Sequence, residues 1–385
     1  MTVVDTPSTL VDTSLKIDNR GSWIPTWSMI STRILELRKR RGLMVALVVV
    51  NIGLPVLFLT IRLLAHALDP KSYGPAGGYS IYGALVAGVM YNFGFIVAAT
   101  LGCTAGSVDL TEGMFRHLVV TGRSRLALYF ARIPAGLAIV CSLVAVGFSV
   151  VCVVCCLAAP THLNYNGVDV PQGLSKSGLE TWAVSHESLV DCNFGFEFKS
   201  GPGGIPNIPC TNSRGVSTIV PQGQVPPGTQ YPTPSQIRAF ALQVADQNYL
   251  SYSQQFLTPS ISLMIRSGLW LELVAAMGLL VGLGLSSLMG QRTVPVILMI
   301  VLQIILTPIF ATNVIPYMIN AQRALVGLAM LHMEPSSLPL NIAGGRGNGG
   351  ASLISETHWV AALVIVGWAV VWTSLGAWRM AKRDA

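Results

Sequence analysis

Six runs of about twenty predominantly apolar residues set the frame within which this chain can fold, because a helix rising 1.5 Å per residue needs about that length to cross a bilayer core about 30 Å thick. The runs cover residues 43–64, 79–100, 133–158, 267–288, 294–312 and 359–378, the fifth being the shortest and bounded by Pro295 and Pro308. Composition agrees: of 385 residues 52% are hydrophobic and 11% charged, about half the charged fraction of an average soluble domain. The expected fold class is an all-α membrane protein with six transmembrane helices.

Lys and Arg in the connections give the orientation. Lys16, Arg20, Arg33, Arg38, Lys39, Arg40 and Arg41 precede the first run, and Arg116, Arg123, Arg125 and Arg132 lie between the second and third. Arg292 lies between the fourth and fifth, and Arg379, Lys382 and Arg383 end the chain. The other connections carry few basic residues for their length, so both termini are expected to be cytoplasmic. The net charge of +7 then reads as topology signal and attraction to membrane lipid, with no role for nucleic acid. No cleavable leader is apparent, since the first 26 residues are polar and the first apolar run is long enough to span.

Residues 1–22 lack apolar periodicity and read as a disordered cytoplasmic tail. An interfacial amphipathic helix over 23–42 follows, with Trp27, Ile30, Ile34 and Leu37 at three- and four-residue steps and Arg33, Glu36, Arg38, Lys39 and Arg40 on the remaining surface. The segment 159–262 is rich in Pro and Gly and reads as an irregular extracytoplasmic insertion. Its two cysteines, Cys192 and Cys210, are placed to form a disulfide in an oxidising exterior. Thr233, Pro234 and Gln236 resemble a helix start, with Ile237, Phe240, Ala241 and Val244 as the apolar face of a helix leading to the fourth span. Residues 314–334 are apolar but broken by Pro, Asn and Arg, and read as short helices dipping into the outer leaflet against protein.

Little in the chain suggests catalysis. There is no HExxH, no GxSxG and no Gly-Lys-Ser/Thr of a P-loop, and the cysteines Cys103, Cys141, Cys152, Cys155 and Cys156 in or beside the spans read as packing residues rather than a metal site. Glu272 is the one acidic residue clearly within a run. An intramembrane carboxylate needs a partner, for which Arg62 or Arg266 is in range by depth. Gly278 and Gly282, continued by Gly284, and Ala84 with Gly88 have the spacing of close helix contacts.

The stretch DLTEGMFRHLVVTGRSR, 109–125, concentrates polar chemistry between the second and third runs. Asp109 with Glu112 forms a capping box, Leu110, Met114, Phe115, Leu118 and Val119 give an apolar face, and Gly122 supplies a stop, so a short helix is expected over 109–121. EGMFRHLVVTGRSR resembles the loop after the second span in ABC type-2 exporter permeases, where Glu-Gly-Thr-Leu-Arg and then Pro-x-Ser-Arg precede the third span. Glu112, Gly113, Arg116, Leu118, Ser124 and Arg125 match, whereas Met114, Phe115 and Gly122 replace threonine, leucine and proline.

The resemblance extends to the amphipathic helix before the first span, the six spans with both ends inside, and the broken apolar helices before the sixth. It implies a transport subunit, not an enzyme, whose loop residues Glu112, Gly113, Phe115, Arg116, Leu118, Ser124 and Arg125 dock on a separate ABC ATPase. ATP and Mg would be bound by that partner, with no cofactor on this chain, and pairing with itself or a second permease is expected. Hydrophobic or amphipathic cargo, drug, lipid or lipid-linked compound, would move outward through the cell membrane, expected to be a bacterial plasma membrane. Two other classes stay open: an ion-coupled transporter using Glu272, and a membrane anchor for a partner-binding ectodomain.

Overall fold

The computed structural model describes residues 22–69, 76–111, 124–160, 163–165, 168–171, 173–186, 234–255, 258–311, 319–335, 338 and 356–382. Six helices in it are long and apolar enough to cross a membrane: Arg41–Leu68, Tyr79–Asp109, Arg125–Leu157, Ile261–Met289, Thr293–Ala311 and His358–Lys382, spans 1 to 6. The protein is a multi-pass helical membrane protein. The helices overrun the apolar runs that announce them. Span 3 starts at Arg125 rather than residue 133, with Ser124 as its N-cap accepting a 3.0 Å hydrogen bond from the Ala127 amide, which satisfies one of the free donors of the first turn.

Spans 2 and 4 form the centre, with 61% and 67% of their most apolar windows buried against 22–28% in the other four. Their contact is made by small residues. A Cβ on Gly278 or Gly282 would overlap the Phe95 or Ala99 carbonyl, and one on Gly102 or Gly106 would run into the backbone of Leu279 or Leu283. Backbones can approach this closely only where no side chain intervenes, which is how membrane helices gain dispersion energy without a hydrophobic drive between them. Gly284 makes the same kind of contact with Trp372 of span 6. Gly88 does not: the space its Cβ would enter is open, so the Ala84/Gly88 pair is not the contact face of span 2, and Gly102/Gly106 is.

Spans 1, 2 and 5 each contain a widened π turn, at Val49–Gly53, Ala84–Met90 and Val301–Leu306. Two of these precede a proline, Pro55 and Pro308. Proline has no amide hydrogen and crowds the carbonyl four residues earlier, and a wider turn relieves both without ending the helix. In span 5 the Thr307 hydroxyl donates to the Leu302 carbonyl at 2.8 Å.

Outside the spans, α1 (Trp27–Lys39) lies against span 3. The insertion between spans 3 and 4 has more order than its composition suggests. A hairpin of β1 (Leu163–Tyr165) and β2 (Val168–Val170) precedes α2 (Lys176–Ser185) and α3 (Pro234–Gln255). Val170, Leu179, Ala183, Ala241, Ala245 and Tyr252 form a small core of their own. The Tyr252 hydroxyl donates to the Pro171 carbonyl and accepts from the Leu174 amide, tying α3 to the chain before α2. Thr233, Cys192 and Cys210 lie outside the described residues, as does the tail over 1–21.

Before span 6 come two short helices, α4 (Ile319–Ala324) and α5 (Val326–His332). Residues 326 to 331 are all buried, so α5 is inserted into the bundle rather than laid on it.

Candidate functional site

At the end of the bundle that carries α1, spans 2 and 3 converge on a buried ion cluster, near the points where the described chain leaves span 2 at Thr111 and resumes at Ser124. Asp109 and Arg132 are 0% and 1% exposed. Asp109 Oδ1 and Oδ2 accept from Arg33 Nη1 and Nη2 of α1 at 2.9 and 2.6 Å, a two-point contact. Arg132 Nη2 of span 3 also donates to Asp109 Oδ2, at 2.5 Å, and Arg132 Nη1 donates to the Gly106 carbonyl at 3.0 Å. Arg33 Nη1 reaches Glu36 Oε2 at 2.6 Å as well. Two guanidinium groups and two carboxylates are thus balanced. Burial works against the charge on Arg33, yet Asp109 and then Glu36 outweigh it and hold its pKa above the ordinary arginine value.

This placement corrects two sequence expectations. Asp109 is not the cap of a separate helix: the span 2 helix runs on through Thr111, and Asp109 lies inside its last turns. Arg132, counted as a loop charge, is inside span 3 and fully enclosed. A buried charge is tolerable only when paired and hydrogen-bonded, and the pairing here joins residues 23 and 76 positions apart.

The cluster fixes both feet of the loop. Asp109 anchors the helix that leads into it. Ser124, where the chain returns, donates to the Ser22 carbonyl at 2.7 Å while capping span 3, and Arg125 Nη1 donates to the Ala381 carbonyl of span 6 at 3.2 Å. Of the loop residues singled out in the sequence, Ser124 and Arg125 are therefore at this platform. Glu112, Gly113, Phe115, Arg116 and Leu118 lie outside the described residues.

Glu272 is held differently from expectation. Its carboxyl lies against the Cys141 thiol of span 3, and its Oε2 is buried with no hydrogen-bond partner. No ion pair with Arg62 or Arg266 forms among the described residues. Arg62 belongs to span 1, which packs on spans 2 and 3, so span 3 contributes the neighbour of Glu272.

A second polar cluster, not anticipated from sequence, holds α5 in the bundle. Tyr91 of span 2 and Trp270 of span 4 stack with rings 3° from parallel and centroids 5.2 Å apart. Each donates a 2.7 Å hydrogen bond to a carbonyl of α5, Tyr91 Oη to Gly327 and Trp270 Nε1 to Met330. Gly327 is needed for the fit, since a Cβ there would stand 2.5 Å from Thr307 Oγ1. The Gln303 amide reaches the Tyr91 hydroxyl, and Gln303 Nε2 lies 3.4 Å from Asn92 Oδ1. Glu334, two residues past α5, is 7% exposed, has neither carboxyl oxygen hydrogen-bonded, and is close enough to Tyr91 to act on it electrostatically. Burial pushes its pKa up to about 8.

No family model, curated protein or solved structure matches this chain.

Proposed function

We propose that this chain is the membrane-spanning subunit of an ATP-binding-cassette exporter of type 2, moving hydrophobic or amphipathic cargo outward with ATP hydrolysed by a separate subunit. The observation that carries the reading is the Arg33–Asp109–Arg132 cluster. It locks the amphipathic helix and spans 2 and 3 into one unit at the two ends of the segment that resembles a coupling helix. A loop that only fixed topology would need charge at the membrane surface, not two buried guanidinium groups bracing the helices it joins. A loop that receives force needs stiff feet, and paired buried charges resist displacement because separation leaves them unsolvated.

In this reading both termini and the 112–123 loop face the cytoplasm, the insertion faces outward, and the protein resides in a plasma membrane, in keeping with bacterial origin. Glu112 and Arg116 make the contact with the ATPase, which holds ATP and Mg. Closure of paired ATPases moves the docked loops, and rigid spans carry the displacement to a pathway between two permease subunits. The chemistry is mechanical linkage. Replacing Glu112 and Arg116 together is expected to abolish co-purification with the ATPase and ATP-dependent transport while leaving the protein folded. Retained coupling would refute the assignment.

A second reading, ion-coupled transport through Glu272, draws on its buried, unpartnered Oε2. It requires transport that persists without any ATPase and stops in Glu272→Gln.

A further inference from the structure

Toward the α1 end of the bundle, spans 3 and 6 leave between them a groove of about 500 Å³ that neither the coupling platform nor the α5 cluster uses. Leu126 and Phe130 of span 3 form one wall, and Val370, Thr373, Ser374 and Ala377 of span 6 belong to the other. Thr373 and Ser374 are its two polar lining residues, and a hydroxyl on a helix can be satisfied by the carbonyl one turn back. The walls therefore call for no polar ligand, and the occupant they suit is hydrocarbon. The groove follows span 6 over residues 369–377, about 12 Å at a rise of 1.5 Å per residue, so its mean cross-section is about 40 Å². A helix with its side chains is 10–12 Å across, or about 80–110 Å². The space admits a lipid chain and is too narrow for a helix of a second copy.

What lies at the end of the groove selects the lipid. Val370 and Ser374 are four residues apart, and the same stripe of span 6 runs on into Trp378 and Lys382, since residues at that spacing share a helix face. Lys382 Nζ stands over the Trp378 ring, 4.8 Å from its centroid, and Arg379 beside it is exposed. Across from them Arg125, the residue before Leu126, donates to the Ala381 carbonyl and ties the two spans together at this end. Trp378 and Trp23, the latter edge-on to Phe130 at 6.1 Å, are 52% and 61% exposed, and amphipathic rings of this kind sit at the headgroup level of a bilayer. The apolar groove and its basic end thus lie at the depths of an acyl chain and a phosphate of one leaflet. Basic groups between spans at that level attract anionic headgroups.

We propose that the groove between spans 3 and 6 binds an anionic phospholipid, its acyl chain lying along Phe130, Val370 and Ser374 and its phosphate meeting Arg379 and Lys382. Bound there, the lipid joins the two spans beside the bond from Arg125 to Ala381 and braces the start of span 3. The site needs no ATPase and does not rest on the transport reading.

The test uses purified, delipidated full-length protein in detergent micelles. Equal amounts of dioleoylphosphatidylglycerol and dioleoylphosphatidylcholine, identical in acyl chains and different in charge, are added, and native mass spectrometry counts the lipid each chain retains. The expected result is at least a tenfold preference for the anionic lipid in wild type and a several-fold smaller preference in the double variant Arg379→Gln, Lys382→Gln. Val370→Trp, which fills the groove and keeps the charges, should lower retention of the anionic lipid several-fold. All three positions are exposed, so the fold is expected to survive, and circular dichroism checks it. Equal retention of the two lipids in wild type, or an unchanged preference in the charge variant, would overturn the proposal. So would wild-type retention in Val370→Trp, because the headgroup would then bind without the groove. If that variant keeps its lipid but changes the oligomeric state seen by light scattering, the groove belongs to a second copy of this chain and the proposal fails.

Discussion

Removing the carboxylate of Asp109 strands two buried guanidinium groups at once. In Asp109→Leu, Arg132 at 1% exposure keeps only the Gly106 carbonyl, and Arg33 keeps only Glu36. Breaking a buried pair by removing one partner costs about 3–5 kcal/mol, and the shared Oδ2 puts this variant at the upper end. Arg33→Met leaves the Asp109–Arg132 pair in place and is expected to cost about 1.5–3 kcal/mol, the range for hydrogen bonds to charged groups. The triple variant Arg33→Met, Asp109→Leu, Arg132→Met removes every stranded charge and should recover to within about 2 kcal/mol of wild type, as replacement of buried ion networks by apolar residues often does. Reversible unfolding in mixed micelles, followed by tryptophan fluorescence, gives the three values. A cost for Asp109→Leu no larger than that of Arg33→Met, or a triple variant worse than Asp109→Leu alone, would refute the view that the cluster is held by mutual charge compensation.

Further outcomes follow from the same geometry. Gly102→Leu and Gly282→Leu should each cost about 1–3 kcal/mol or more by forcing spans 2 and 4 apart, whereas Gly88→Ala, which meets open space, should be near neutral in the same unfolding assay. Trp270→Phe keeps the stack on Tyr91 but removes the indole donor from the Met330 carbonyl, which keeps the Met333 amide, and a loss of about 0.5–1.5 kcal/mol is expected. Glu334 holds its proton in the folded protein up to about pH 8, well above the ordinary value of 4.5. Between those values the folded state binds the proton and the unfolded state does not, so the favourable contribution is full below pH 4.5 and is lost as pH rises through 8. Melting temperature measured from pH 5 to 9 should fall more steeply in wild type than in Glu334→Gln, and parallel curves would contradict the assignment.

The spans were legible because a lipid-exposed helix can hide nothing: each run had to be apolar over its whole length, and that is a local property. The pairing of Asp109 with Arg33 and Arg132 was not, because charges near a span end read equally as caps, as topology signal or as partners, and only the fold brings such distant positions together. Arg132 also lay outside the apolar run, which began at residue 133, so its burial had no hydropathy signature. The Gly102/Gly106 spacing in GCTAG was as visible as Gly278/Gly282, but spacing does not say which face of a helix meets a neighbour, and Gly88 shows the same spacing on an open face. In the insertion, Pro and Gly content masked a core whose members, Val170 and Tyr252 among them, lie far apart in sequence. Glu334 sat in a broken apolar segment where burial depends wholly on how α5 inserts.

In the proposed function the 112–123 loop is where a separate ATPase engages this protein. The most direct measurement places a photo-crosslinking amino acid at Phe115 in the full-length protein, irradiates native membranes and sequences the captured chain. The expected result is an adduct with a chain carrying a Gly-Lys-Ser/Thr nucleotide-binding loop, lost when Glu112 and Arg116 are replaced. Efficient crosslinking only to lipid or to this chain itself, with no such ATPase captured, would contradict it.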